Sequence, residues 1–93
     1  MIIKIKNALG ETVELECKSN FLMKSLIEKY KTLIEENGKT INRITFTFNG
    51  EILDEDDMSS TLEEFGIEDG GLIVASIFYI GGDSFKKYNL LFF

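Results

Sequence analysis

Few residues in this chain have side chains capable of covalent chemistry, and their spacing decides how they are read. The single cysteine, Cys17, is the only thiol, and there is no histidine anywhere in the 93 residues. One cysteine excludes an internal disulfide and an all-cysteine metal cage. Without histidine there is no His-based triad and no His-ligated zinc. Cys17 falls on the apolar side of an alternating run, with no imidazole to lower its pKa, which reads as a buried structural thiol. Asp54-Glu55-Asp56-Asp57 offers carboxylate oxygens to a hard cation, but it lacks the spacing and the glycine of a calcium loop. The acid pairs Glu35-Glu36 and Glu63-Glu64 stand on exposed helical positions beside no catalytic partner. These residues describe a protein that is not an enzyme and that needs no metal or other cofactor. The remaining feature is Gly81-Gly82, followed by Asp83–Phe93. Between the apolar run Ile77–Ile80 and Phe85 onward, such a pair suits the turn of a hairpin.

The elements that position these residues follow from hydrophobic period. Ile3 and Ile5 alternate with Lys4 and Lys6, and Val13, Leu15 and Cys17 alternate with Glu14, Glu16 and Lys18. Two half-buried strands around Asn7–Gly10 predict a hairpin. The period then lengthens: Met23, Leu26, Ile27, Tyr30, Leu33 and Ile34 form one stripe of an amphipathic helix. Ser19 or Asn20 is the expected N-cap, and Asn37-Gly38 the left-handed stop. Ile44, Phe46 and Phe48 restore the strand period, closed by Asn49-Gly50, a tight-turn signal. Ile52-Leu53 reads as a short fourth strand and 54–57 as an acidic loop. Thr61 and Glu64 have capping-box spacing for a short helical turn ended by Gly66. Leu72–Ser76 is an uncharged, largely apolar run, the expectation for a central strand covered on both faces.

A chain of this length holds one domain at most. Sixteen acids against ten bases give a net charge of −6, a field that repels phosphate backbones and argues against nucleic-acid binding. The longest run without a formal charge, Gly70–Gly82, is 13 residues, too short to span a bilayer. The opening Met-Ile-Ile-Lys-Ile-Lys has no apolar stretch of signal-peptide length. The expectation is an intracellular protein, cytoplasmic or nuclear in a eukaryote, without a membrane partner.

The order strand, strand, helix, strand, short strand, turn, strand is that of an α+β β-grasp: a mixed sheet of four to five strands wrapping one helix. Over residues 1–82 the chain resembles the ubiquitin and SUMO family. Met1–Gly10 follows ubiquitin's opening strand-and-turn frame. Thr61-Leu62-Glu63-Glu64-Phe65-Gly66-Ile67 is similar to ubiquitin's Thr-Leu-Ser-Asp-Tyr-Asn-Ile segment. Leu26-Ile27-Glu28-Lys29-Tyr30 looks like SUMO's helix, and Ile44-Thr45-Phe46-Thr47-Phe48-Asn49-Gly50 like its Ile-Arg-Phe-Arg-Phe-Asp-Gly strand. Glu68-Asp69 stands as far from Gly81-Gly82 as the corresponding acidic pair does in SUMO.

The resemblance implies a modifier, residues 1–82, with a propeptide, residues 83–93. The precursor would be cut after Gly82, and the Gly82 carboxylate then joined to target lysines by way of activating and conjugating enzymes. Two glycines suit that path because a side chain would clash in narrow enzyme channels. It also implies a partner groove between second strand and helix, at Leu15, Cys17, Leu26 and Tyr30, that takes up protein partners by strand addition. Against SUMO, the groove's rim keeps one base, Lys18, beside Glu16 and Ser25. The three positions of ubiquitin's apolar patch fall on Ala8, Thr47 and Ser76, so that face reads as a solvated one. The alternative is a non-covalent interaction or adaptor domain in which Gly81-Gly82 turns a hairpin and 83–93 adds an extra C-terminal strand. In that case the monomer acquires a surface for self-association.

Overall fold

The computed structural model describes residues 1–79. Five strands form one mixed sheet: β1 (Ile2–Asn7), β2 (Thr12–Glu16), β3 (Ile41–Phe48), β4 (Glu51–Ile52) and β5 (Leu72–Tyr79), in the order β2-β1-β5-β3-β4. β1 and β5 run parallel at the centre, and the other pairings are antiparallel. The helix α1 (Met23–Glu36) lies across one face, with a short α2 (Leu62–Phe65) and a 3₁₀ helix (Glu55–Ser59) on the return.

Sequence period explains what is buried. Ile3 and Ile5 of β1 are fully covered, as are Met23 and Leu26 of α1 and Ile73 and Ala75 of β5. Ile27, Tyr30 and Ile34 complete the helical stripe, and Leu33 is half-buried beside them. Fully burying one such aliphatic side chain stabilises the fold by about 1.5–3 kcal/mol. α1 ends as its sequence indicates: Gly38 takes φ +85° and its N–H donates to the Glu35 carbonyl at 3.0 Å.

The β3–β4 hairpin closes through Asn49 (φ +53°) and Gly50 (φ +83°), the paired left-handed geometry that two-residue hairpins favour. Gly71 is needed for a different reason. A Cβ there would stand 2.9 Å from the Glu68 carbonyl oxygen and from the Ile67 side chain. Its own carbonyl accepts the Lys4 N–H at 2.8 Å, which starts the β1–β5 ladder. Thr61 and Glu64 form the expected reciprocal cap, at 3.0 and 2.9 Å.

Four expectations are corrected. The N-cap of α1 is Leu22, not Ser19 or Asn20, and no side chain caps it. Residues 18–21 turn instead, and the Met23 N–H donates to the Ser60 carbonyl at 2.9 Å, so a tertiary contact replaces the local cap. The acidic segment is not a loop: Asp54 and Asp57 form a second capping box that opens the 3₁₀ helix. The fourth strand is Glu51–Ile52, although the Leu53 N–H still reaches the Phe46 carbonyl at 2.9 Å. Finally, β5 is central but covered on one face only. Leu72, Val74 and Phe78 are 44%, 40% and 52% exposed on the other.

Candidate functional site

β5 leads to the glycine pair, and it runs further than its apolar core segment required. Ile77 pairs with Ile44, Phe78 with Arg43 and Tyr79 with Ile41. The Arg43 guanidinium stacks 4.9 Å above the Phe78 ring centroid, and the Lys39 ammonium 5.3 Å from that of Tyr79, arrangements a ring quadrupole favours. Ordered pairing therefore reaches to within two residues of Gly81. Gly81, Gly82 and the extension 83–93 lie outside the described residues.

The groove positions Leu15, Cys17, Leu26 and Tyr30 share one region between β2 and α1, and all four are buried core. Cys17 follows the last residue of β2 rather than sitting mid-strand. It is nevertheless held in the ladder, its N–H donating to the Met1 carbonyl at 2.9 Å and its carbonyl accepting the Met1 nitrogen at 2.8 Å. Burial pushes the Cys17 thiol pKa upward, only partly opposed by the Met1 ammonium and Lys29, the reverse of what a nucleophile requires. The native thiol is thus expected to react with a disulfide reagent at least ~100-fold more slowly than the denaturant-unfolded chain, since labelling must await an opening worth ~3 kcal/mol or more. Stopped-flow labelling with and without denaturant measures the ratio, and equal rates would show an accessible thiol.

Tyr30 is packed edge-on against Phe46, with ring centroids 5.9 Å apart and planes 75° to each other. It also lines a cavity of about 320 Å³ with Asn7, Glu11, Val13, Asn37 and Lys39. Burial raises its phenol pKa, and Tyr79 and Glu11 raise it further. Asn7 anchors this corner: its side-chain oxygen accepts the Leu9 and Glu11 N–H groups at 3.0 Å, and its amide donates to the Glu11 carboxylate at 2.8 Å. What β2 offers a partner is its outer backbone edge and the half-buried Val13, while the four named side chains lie beneath.

The outer sheet face departs from the solvated surface expected of Ala8, Thr47 and Ser76. Ala8 and Ser76 are exposed and Thr47 is half-buried. Leu72 and Val74 supply apolar area that none of the three carries, beside an open hollow of about 770 Å³ reaching to Asn49 and Gly70. The signal was present in the sequence as alternation within β5: Leu72, Val74, Ser76 and Phe78 share one face and Ile73, Ala75 and Ile77 the other. An unbroken apolar run conceals that alternation. No group of three or more acidic or cysteine side chains among the described residues is arranged to hold a metal ion. No helix among them is long and apolar enough to cross a membrane.

Comparison with known proteins agrees with this architecture. No curated protein sequence matches the chain. Among solved structures, the ubiquitin of Caldiarchaeum subterraneum is similar, with a TM-score of 0.71 and 27% sequence identity over 88% of this chain and 98% of that one. A family model described as ubiquitin-2 like Rad60 SUMO-like matches residues 1–77. With five strands and one main helix among the described residues and that match over most of its length, the chain belongs to the Rad60 SUMO-like family of ubiquitin-like domains.

Proposed function

We propose that this chain is a SUMO-like protein modifier, made as a precursor, cut after Gly82 and joined to target lysines through the Gly82 carboxylate. The observation that carries the reading is the position of Gly81-Gly82 in the sequence, two residues past Tyr79, where the last strand among the described residues of a ubiquitin-like β-grasp ends. In the forward step an activating enzyme adenylates the Gly82 carboxylate with a nucleoside triphosphate, releasing pyrophosphate; an enzyme cysteine thiolate displaces the nucleoside monophosphate to form a thioester, which a lysine amine attacks. The amide forms as the thiolate leaves. On this reading the chain is a substrate carried by other enzymes, and Leu72 and Val74 give those enzymes an apolar face to hold. The outer edge of β2 above Leu15, Cys17, Leu26 and Tyr30 serves protein partners that add a strand. Mass spectrometry of the protein from its own cells tests the proposal. A species ending at Gly82, together with conjugates of higher mass, is the expected result, and the full-length chain alone would overturn it.

One observation favours a second reading, the non-covalent adaptor. β5 stays paired through Tyr79, which leaves Ile80 alone between an ordered strand and Gly81. A modifier tail must reach into an enzyme, whereas a hairpin turn belongs directly at a strand's end. Residues 83–93 would then be protected from hydrogen exchange in the full-length protein.

A further inference from the structure

Among the described residues β3 carries an open edge of its own, on the far side of the sheet from β2. β4 pairs only with Thr47 and Phe48, and the Leu53 N–H adds one bond to the Phe46 carbonyl. The chain then leaves that line, because Asp54 turns to cap the 3₁₀ helix through its carboxylate, which accepts the Asp56 N–H at 3.0 Å. Backbone groups two residues apart on a strand point the same way. Ile44 therefore directs its N–H and carbonyl to the side that Phe46 uses for Leu53, where no further strand follows among the described residues.

Beside that edge lies a cleft of about 330 Å³, bounded by Ile27 and Lys31 of α1, Ile44 of β3, and the Asp54, Glu55 and Met58 segment. Ile52, which is 67% exposed, stands at its mouth. The volume is at the small end of ligand pockets, about 300–1,000 Å³, and accommodates one or two side chains rather than a compact metabolite. Its form is that of a strand-addition site: unpaired backbone on one wall and an apolar recess to receive alternate side chains. The charge is asymmetric. Asp54 and Glu55 on the lining are exposed, with Asp56 and Asp57 following directly in sequence and Glu51 three residues before, against the single lining base Lys31.

We propose that this cleft binds an extended, apolar peptide segment flanked by lysine or arginine, which continues the β4 line along Ile41–Thr45 and places one side chain between Ile27, Ile44 and Met58. The unpaired edge supplies the affinity, and the acidic wall selects basic flanks and hastens encounter. The site is independent of Gly82 and of the β2 edge, so it holds for modifier and adaptor alike.

The test is an NMR titration of the full chain with two synthetic peptides of about nine residues. Each has the same alternating valine–threonine centre, with lysines at both ends in one and glutamates in the other. The lysine peptide is expected to shift the Ile44 amide and the Ile27 and Met58 methyl groups, and to slow exchange of the Ile44 amide. Its binding should weaken about fivefold or more in Glu55→Lys and in Ile52→Ser, both exposed positions, with unchanged amide dispersion showing an intact fold. The glutamate peptide should bind the native chain more weakly and gain affinity for Glu55→Lys. Any of four results would overturn the proposal: no saturable shifts, equal affinity for the two peptides, shifts confined to Thr12–Glu16, or the same shifts on raising the protein concentration alone.

Discussion

Tyr30→Ala is expected to lower the unfolding free energy by about 3–5 kcal/mol, the range for removing a large buried aromatic side chain. Tyr30→Phe should stay within ~1 kcal/mol of the native chain. The ring explains the first figure: it is almost wholly buried and meets Phe46 edge to face, and its loss would enlarge a void that already exists beside it. The hydroxyl explains the second, since it belongs to a desolvated corner shared with Glu11 and Tyr79, where removing a polar atom costs little. Against a total stability of about 5–15 kcal/mol, the alanine variant would be marginal, with a melting temperature lower by roughly 15–30 °C for a domain of this size. Urea unfolding of both variants checks the pair. A phenylalanine variant as unstable as the alanine one would assign the role to the hydroxyl instead. The phenol also fixes the sign of an alkaline effect. Its folded pKa is raised, so its contribution is complete below the ordinary tyrosine value of about 10 and is lost as the pH climbs through the folded value. Cys17 acts in the same direction, its contribution being lost as the pH rises above the ordinary thiol range. Tyr30→Phe should accordingly lose less stability above pH ~10 than the native chain.

The second large effect concerns Gly82. With Gly82→Val the modifier reading predicts complete loss of the mature species and of every conjugate, because a branched side chain would clash in the narrow enzyme channels that two glycines can pass. Immunoblotting of tagged native and Gly82→Val chains in the source cells reads the loss directly, and the melting temperature of the purified variant should be unchanged. The adaptor reading predicts the opposite pattern. No conjugates would exist to lose, and a valine in a tight turn would lower the melting temperature. The two measurements together separate the readings whichever is right.

How far the sequence announced this structure depended on the range over which each signal acts. Strand and helix periods are local, and β1, α1 and β3 emerged where alternation and the 3.6-residue stripe placed them. So did the Asn49-Gly50 turn and the Thr61–Glu64 cap, which are complete within four residues. The N-terminus of α1 was misplaced because its first amide is satisfied by Ser60, far along the chain. The one-sided exposure of β5 was hidden because Leu72–Ser76 contains no strongly polar residue to mark the outer face. At the candidate sites, the resemblance to SUMO marked Leu15, Cys17, Leu26 and Tyr30 as a groove and period put each on an apolar face, but neither showed how completely the four would be buried between β2 and α1. The cleft beside β3 left no local trace. It exists because α1, β3 and the 3₁₀ helix meet around a strand that stops after two residues, and only the assembled sheet shows that edge.

The parallel β1–β5 pair at the centre of the sheet has a mechanical consequence. Any machine that grips the chain beyond Tyr79 and pulls transmits its load to β5, the strand hydrogen-bonded along both flanks, to β1 and to β3. If the opposing hold is at the β1 end, the two parallel neighbours are drawn past each other in shear, and their bonds must yield together rather than unzip one at a time. Held in that way, the domain resists extraction from the end that carries the glycine pair, and its lifetime under tension is set by a rate of rupture rather than by its equilibrium stability.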